Sequence, residues 1–354
     1  MRGEGDEDMI WSFGLRTSNL FRVLLALSFG LAVCAPAHAT PSVEWHRGPD
    51  MPSARDYLGC GIADGLFVVA GGAYWEHEAK HFGQQTIAYS PTQNRWIRFP
   101  DLPMPGAYGA SAVIDDRLLI AGGADSTGAL KRCFRLRRVE GRLTWDRLPD
   151  LPRPIWGASG AAVGSRFYVV GGAQGMDAGS MKAARPSLLM LDVSAVKPEW
   201  LQMVGPGMPS GRVGAAAVVV GTKLFVFGGY GVQADGTLGN FGDAYVRDIG
   251  VSSGTWQPTR NVPLASRWTS AVPLDSRQIV LVGGYAESPV AGFLDDTLIY
   301  DTDSDRYLQT DPIPCAVATT AAAGDGAATI YVAGGEDAMR HRSAALLVGS
   351  LVDR

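Results

Sequence analysis

The chain has 354 residues, with 35 Asp and Glu against 31 Lys and Arg, a formal net charge of -4. That near-neutral balance gives no sign of a surface built to hold nucleic acid or an anionic membrane, and neither is expected as a partner. Glycine is abundant at 45 residues and only 19% of the chain is charged. Beyond the first forty or so residues no long apolar pattern of helical period appears. Short apolar runs bounded by Gly, Pro and Asp dominate, which predicts an all-β protein.

In chain order, the first predicted element is a targeting segment. Arg22 precedes an apolar run from Val23 to Ala35, followed by the small-x-small site Ala37-His38-Ala39. This pattern reads as a cleaved secretory signal over 1–39, and the run is too short to span a bilayer. The acidic stretch RGEGDED ahead of Met9 makes Met9 the expected start. The expectation is a mature domain over 40–354, periplasmic or secreted, with no membrane contact after cleavage.

The rest of the chain is a repeat. Segments led by Trp45, Trp96, Trp145, Trp200, Trp256 and Tyr307 each run through a Pro-containing stretch and a small apolar stretch to a Gly-Gly pair. Six copies at about fifty residues predict four-stranded units that cannot bury both faces alone and pack radially, a six-bladed kelch-type β-propeller. Each blade should have a small, apolar inner strand such as GAAAVVVG (Gly214 to Gly221), a second strand such as KLFVFGG, a third such as DAYVRDI, and the Trp strand at the rim. The tryptophans stand at equivalent positions and are expected to pack between blades. After the last Gly-Gly only one strand remains, SAALLVGSLV. The missing rim strand is SVEWHRG at the other end. Val43 to Arg47 is therefore expected to pair with the strand around Ala344 to Val348 and close the ring.

Second and fourth strands of a blade run the same way, so the loops leaving them share one face. The residues after the Gly-Gly pairs are Ala73, Ala124, Ala173, Tyr230 and Tyr285, but in the last copy Glu336 and Asp337, followed by Arg340, His341 and Arg342. Glu336 is expected at the central opening, among Arg55, Tyr108, Trp156, Arg212, Arg267 and Trp268 from the loops entering the inner strands. A carboxylate ringed by arginines would suit a small anionic, polyhydroxylated ligand. The bland alternative is that these arginines bond backbone carbonyls and that Glu336 pairs with Arg342 at the surface.

The mature chain resembles the kelch-type sialic acid (N-acetylneuraminate) mutarotase family. In that family one blade carries Gly-Glu, five intervening residues, then Arg followed by Ser or Thr; here Gly335-Glu336, DAMRH and Arg342-Ser343 keep that spacing. The segments around Tyr108 and Arg212 are similar to two further family blades. The blade order looks rotated, as in the cyclically permuted branch. The resemblance implies a cofactor-independent isomerase that interconverts anomers of an acidic sugar by acid/base ring opening. Glu336 would be the general base, and Arg342, with Arg212, Arg55 and Tyr108, would bind the substrate. The chain departs from the family pattern in two places: the short fifth-blade loop GGYAESPVAGFLDD, and DAMRH in place of a Pro-Gly-containing stretch.

Neither a metal nor an organic cofactor is expected. His77 and His81 share a loop without a clear third ligand. The copper radical oxidases, also built on kelch blades, need a ligand set of histidines and tyrosines that the chain does not offer. Of the four cysteines, Cys34 lies in the expected signal; the mature Cys60, Cys133 and Cys315 make an odd count and are expected as free buried thiols, with a bridge from Cys60 to Cys315 left open. Two functions stand: the sugar mutarotase, and a non-catalytic kelch propeller that binds a glycan or protein through its loop face.

Overall fold

The computed structural model describes residues 41–353 apart from 204–207, 252, 288 and 290; the expected signal segment lies outside the described residues. Six four-stranded antiparallel sheets follow one another along the chain. Their inner strands are Gly59–Ala63, Ala110–Ile114, Trp156–Val163, Ala216–Val220, Ser270–Pro273 and Ala321–Gly324. Each inner strand touches the next, and the sixth touches the first, so the sheets are the blades of a closed propeller. Alanine, glycine and serine dominate these strands because they crowd around the axis.

The sixth sheet is composite. Pro41–Arg47 is its rim strand, paired antiparallel with Leu346–Asp353. The closure expected from the chain ends is therefore present. The register differs: Val43 lies opposite Leu351 and Arg47 opposite Leu347, so the pairing runs further toward the C-terminus than Val348. The reason is the length of the final strand, which carries on through Leu351 and Val352. Val43 is fully buried, and the Trp45 indole donates to the Thr297 hydroxyl of blade 5 at 3.2 Å. The indoles of Trp96, Trp145 and Trp200 likewise donate to the carbonyls of Pro49, Pro100 and Pro149, each in the stretch that leaves the rim strand of the preceding blade. These tryptophans tie blade to blade, as expected.

The Gly-Gly pairs are the second tie. In blade 6, Gly335 donates its N–H to the Arg55 carbonyl of blade 1 at 2.9 Å, while a Cβ on Gly334 would collide with that same carbonyl. Both glycines have positive φ, 68° and 103°. Only glycine combines that backbone with such close approach. The other five pairs repeat the arrangement against their own neighbours.

Nearer the axis lies a third tie that the repeat does not advertise. Tyr57, Tyr108, Gly157, Gly214, Trp268 and Thr319 hold equivalent positions, one per blade, and all have φ between 51° and 67°. Each donates its N–H to the carbonyl of the one before, Tyr57 to Thr319 included, at 2.7 to 3.2 Å. The result is an unbroken circle of backbone hydrogen bonds. Four of its six members are not glycine, and Thr319 is β-branched, so the left-handed backbone there is strained. The circle supplies the compensating bonds.

Candidate functional site

The face onto which the second and fourth strands empty carries small hairpins in five blades. They include Ala73–Glu76 with Ala79–Phe82 in blade 1, and Glu336–Ala338 with His341–Arg342 in blade 6. Blade 3 instead has the helix Ala178–Lys182, capped by the Asp177 carboxylate. Over the axis the face is closed by aromatic rings. Tyr57 and Tyr108 have centroids 3.7 Å apart, and Trp268 meets Tyr57 at 5.0 Å, Tyr108 at 6.1 Å and Trp156 at 5.9 Å. Trp268 can reach across because blade 4 has Gly214, where a Cβ would strike the indole. Behind the rings lies a central cavity of ≈ 190 Å³ walled by inner-strand residues such as Ser111, Ser159 and Ser270. The expected axial opening on the loop face is thus an aromatic floor.

On this floor, at the junction of blades 6 and 1, stands a charged cluster. Glu336 and Arg342 lie directly opposite each other across the blade 6 hairpin, which is what five intervening residues produce when they form a turn. Glu336 Oε1 is 2.8 Å from Arg342 Nη1 and also accepts the Arg340 backbone N–H at 3.1 Å. The other side of the guanidinium faces blade 1, with Arg342 Nε 2.5 Å from Asp56 Oδ2. Distance makes this an ion pair, although its angles do not make an aligned hydrogen bond. Lys80, from the blade 1 hairpin, puts its ammonium 4.5 Å from the Tyr108 ring centre and 5.4 Å from that of Tyr57.

Asp56 is fully buried. Its carboxyl is pushed up to about 7, chiefly by burial and only partly offset by Arg342 and then Lys80. Burial also lowers the Lys80 ammonium, against the pull of Asp56, and raises the Tyr57 phenol well above its usual range. Two acidic and two basic side chains therefore converge in a spot where burial disfavours the charged forms of Asp56 and Lys80.

The structure brings together Glu336, Arg342 and Tyr108. It does not bring Arg55 and Arg212 to them. Both are almost completely buried. Arg55 Nη1 donates to the carbonyls of Gly71 and Gln85. Arg212 Nη1 donates to the Gly228 carbonyl at 2.9 Å, its two terminal nitrogens grip the Asp243 carboxylate, and Phe241 lies under its guanidinium at 4.4 Å. The ring of arginines expected around Glu336 is corrected to this extent: the stem of the arginine is long enough to turn back into its own blade, where two carbonyls need donors. Arg267 also turns aside, between Tyr230 at 4.4 Å and Tyr285 at 4.8 Å, and pairs with Asn240 and Glu287. Trp156 and Trp268 belong to the floor.

Asp56 and Lys80 were not among the residues singled out from the sequence. A signal for Asp56 existed: its equivalents in the other blades are Ala107, Trp156, Val213, Arg267 and Ala318, so it is the one acid at that position. Lys80 had none, because hairpins of unequal length cannot be aligned. Among the described residues no group of three or more His, Cys, Asp or Glu is placed to hold a metal. His81 stacks on Tyr74 instead. Cys60, Cys133 and Cys315 are free thiols, Cys133 buried and the other two partly so. Burial pushes Cys60 up to about 11 and Cys133 up to about 12, which keeps both as inert thiols.

A raised carboxyl favours the folded state when protonated. Between the usual carboxylate range near pH 4 and the folded value of about 7, the unfolded chain releases a proton that the folded chain keeps. Asp56 therefore makes stability fall as pH rises through that window. Asp56→Asn is expected to flatten this decline, measured as the urea midpoint at pH 4.5, 6 and 7.5; an unaltered slope would show that Asp56 is not the titrating group.

A search against family models matches 157–348 to the KLHDC2/KLHL20/DRC7 Kelch-repeats domain, more than half of the chain. Putative adagio-like protein 2 of Oryza sativa subsp. japonica is 33% identical over 120 residues, covering 33% of this chain and 18% of that protein. Adagio protein 3 of Arabidopsis thaliana is 30% identical over 120 residues, with the same shares. The aligned stretch is thus under a fifth of the length of these relatives. Repeat period, Gly-Gly ties, radial sheets and family match agree, and the chain belongs to the kelch-repeat family.

Proposed function

We propose that this propeller is a non-catalytic recognition module that holds a protein segment on its loop face. One observation carries the reading. The hairpins present half-buried aromatic rings with arginines laid on them: Arg267 between Tyr230 and Tyr285, and Arg340 over Trp75 at 5.0 Å. Tyrosine, tryptophan and arginine in desolvated clusters are the residue types that carry binding energy between proteins. The charged cluster fits this role as a cross-brace that fixes the hairpins of blades 6 and 1. Arg340 adds an outer brace to Glu78 at 2.6 Å.

Sugar mutarotation is the second reading, favoured by Glu336 facing Arg342 at the family spacing. Weighing against it, the Arg342 guanidinium is already shared between Asp56 and Glu336, so a sugar carboxylate would have to displace one of them. A single pair of experiments separates the readings. Peptides selected from a random display library on the wild-type protein are expected to lose at least about tenfold in affinity for Tyr285→Ala, the scale of one hot-spot residue. Time-resolved proton NMR of freshly released sugars, sialic acid included, is expected to show uncatalysed anomer exchange. Accelerated exchange, or peptide binding indifferent to Tyr285, would sink the recognition reading.

A further inference from the structure

The blades are copies, and at one equivalent position two of them carry an arginine, Arg55 and Arg212, where the others have Gly106, Ile155, Ser266 and Val317; a copy that keeps the arginine's slot without the arginine is informative. Arg55, Arg212 and Ser266 are structural equivalents. The carbonyl of each accepts the N–H of the second glycine of the preceding blade, Gly335, Gly172 and Gly229 respectively. Each also lies two residues before the left-handed residue of the axial circle. In blade 4 the Arg212 guanidinium fills a slot bounded by the Gly228 carbonyl, the Asp243 carboxylate and the Phe241 ring. In blade 1 Arg55 likewise bonds the Gly71 carbonyl.

Blade 5 keeps the slot and not the arginine. Gly283 and Asp296 stand in the same relation as Gly228 and Asp243, the glycine N–H donating to the aspartate carbonyl at 3.0 Å in both. Leu294 replaces Phe241, its N–H bonded to Gly284 as that of Phe241 is to Gly229. Ser266 is too short to enter and bonds Thr269 instead. A pocket of ≈ 230 Å³ results between blades 4 and 5, lined by Val262, Leu264, Ser266, Gly283, Leu294 and Asp296 among others. Among the described residues no side-chain donor reaches the Gly283 carbonyl, and no cation pairs with Asp296, whose Oδ1 accepts only the Gln309 amide at 3.0 Å. The Asp296 carboxyl is accordingly raised by burial and by Asp295.

We propose that this pocket binds the guanidinium group of an arginine side chain carried by a peptide, which takes the place that Arg212 holds in blade 4. Asp296 supplies the charge and the Gly283 carbonyl a second acceptor, while the leucine and valine walls cover the aliphatic stem. The inference rests on the reading of the loop face as a peptide-binding surface, because the pocket lies between blades 4 and 5, whose hairpins also carry Tyr230 and Tyr285. Its test reads the pocket directly, whereas loss of selected peptides on Tyr285→Ala reads the aromatic surface, so the two can fail separately.

The probes are N-acetyl-arginine amide as the peptide mimic, free L-arginine, and N-acetyl-citrulline amide, which is the same shape without the charge. Each is titrated into methyl-labelled protein. The expected result is that arginine amide shifts the methyls of Leu264, Leu281, Leu294 and Leu298 and binds at least about tenfold tighter than citrulline amide, the margin of a charge-assisted contact. Asp296→Asn should remove that margin. Ser266→Arg should abolish the shifts by filling the pocket from within and should raise Tm. Equal binding of citrulline and arginine amides, or undiminished binding by Ser266→Arg, overturns the proposal; if Ser266→Arg does not fold, Asp296→Asn decides alone. Tighter binding of free arginine than of the amide would overturn the peptide source.

Discussion

Deleting residues 40–48 is expected to destabilise the domain by roughly 4 kcal/mol or more. Val43 and Trp45 leave their sites against blades 6 and 5, and burial of side chains this size is worth about 1.5–3 kcal/mol each. The loss does not end with these contacts. Leu346–Asp353 would become an exposed edge rich in leucine and valine, with a row of unpaired backbone groups. The truncated protein should therefore show both a lower urea midpoint and a concentration-dependent tendency to associate by size-exclusion chromatography. A synthetic peptide of residues 40–48 added in trans should restore the midpoint, because the pairing Val43 to Leu351 and Trp45 to Gly349 does not need the covalent link to blade 1. An unchanged midpoint on deletion would show that blade 6 closes without its rim strand.

Arg342→Ala is expected to cost about 1–3 kcal/mol near neutral pH, less than the usual penalty for stranding a buried charge because Asp56 can take up a proton instead. Asp56 is fully buried and Arg342 is its principal counter-charge. Without the guanidinium, the carboxyl must stay protonated in the folded state over a wider range, so the penalty should shrink below about pH 5, where Asp56 is protonated in the folded wild type as well. In an Asp56→Asn background the same substitution should cost markedly less, since no buried charge is stranded. The cycle of the two single variants and the double variant, read by urea unfolding at pH 5 and 7.5, isolates the coupling. If Arg342 instead existed to hold a ligand carboxylate, its removal would leave stability nearly unchanged at both pH values and the cycle would show no coupling.

The arginines show how far a repeat can be read from its letters. Aligning the copies put Arg55 and Arg212 correctly in the loops that enter the inner strands. It could not say which way a flexible side chain turns. Buried carbonyls of Gly71 and Gly228 decide that, because an unsatisfied acceptor in the interior costs more than an exposed guanidinium gains from facing solvent. Glu336 and Arg342 were legible for the opposite reason. They share one short hairpin, and local spacing alone puts them face to face.

By itself the sequence determined the all-β class, the sixfold repeat, the blade boundaries and the need for the N-terminal strand to complete the last blade. All of these follow from short apolar runs bounded by Gly, Pro and Asp, Gly-Gly punctuation and the count of strands at each end, which are local properties. Only the tertiary structure decided that Asp56 and Lys80 join Glu336 and Arg342, that rings from four blades floor the axis, and that Ser266 leaves a pocket where Arg212 fills one. These depend on contacts between residues as much as 286 positions apart, such as Asp56 and Arg342, which meet only when the ring closes. Closure makes neighbours of the first and last blades, and the charge stranded at each end of the repeat finds its partner there.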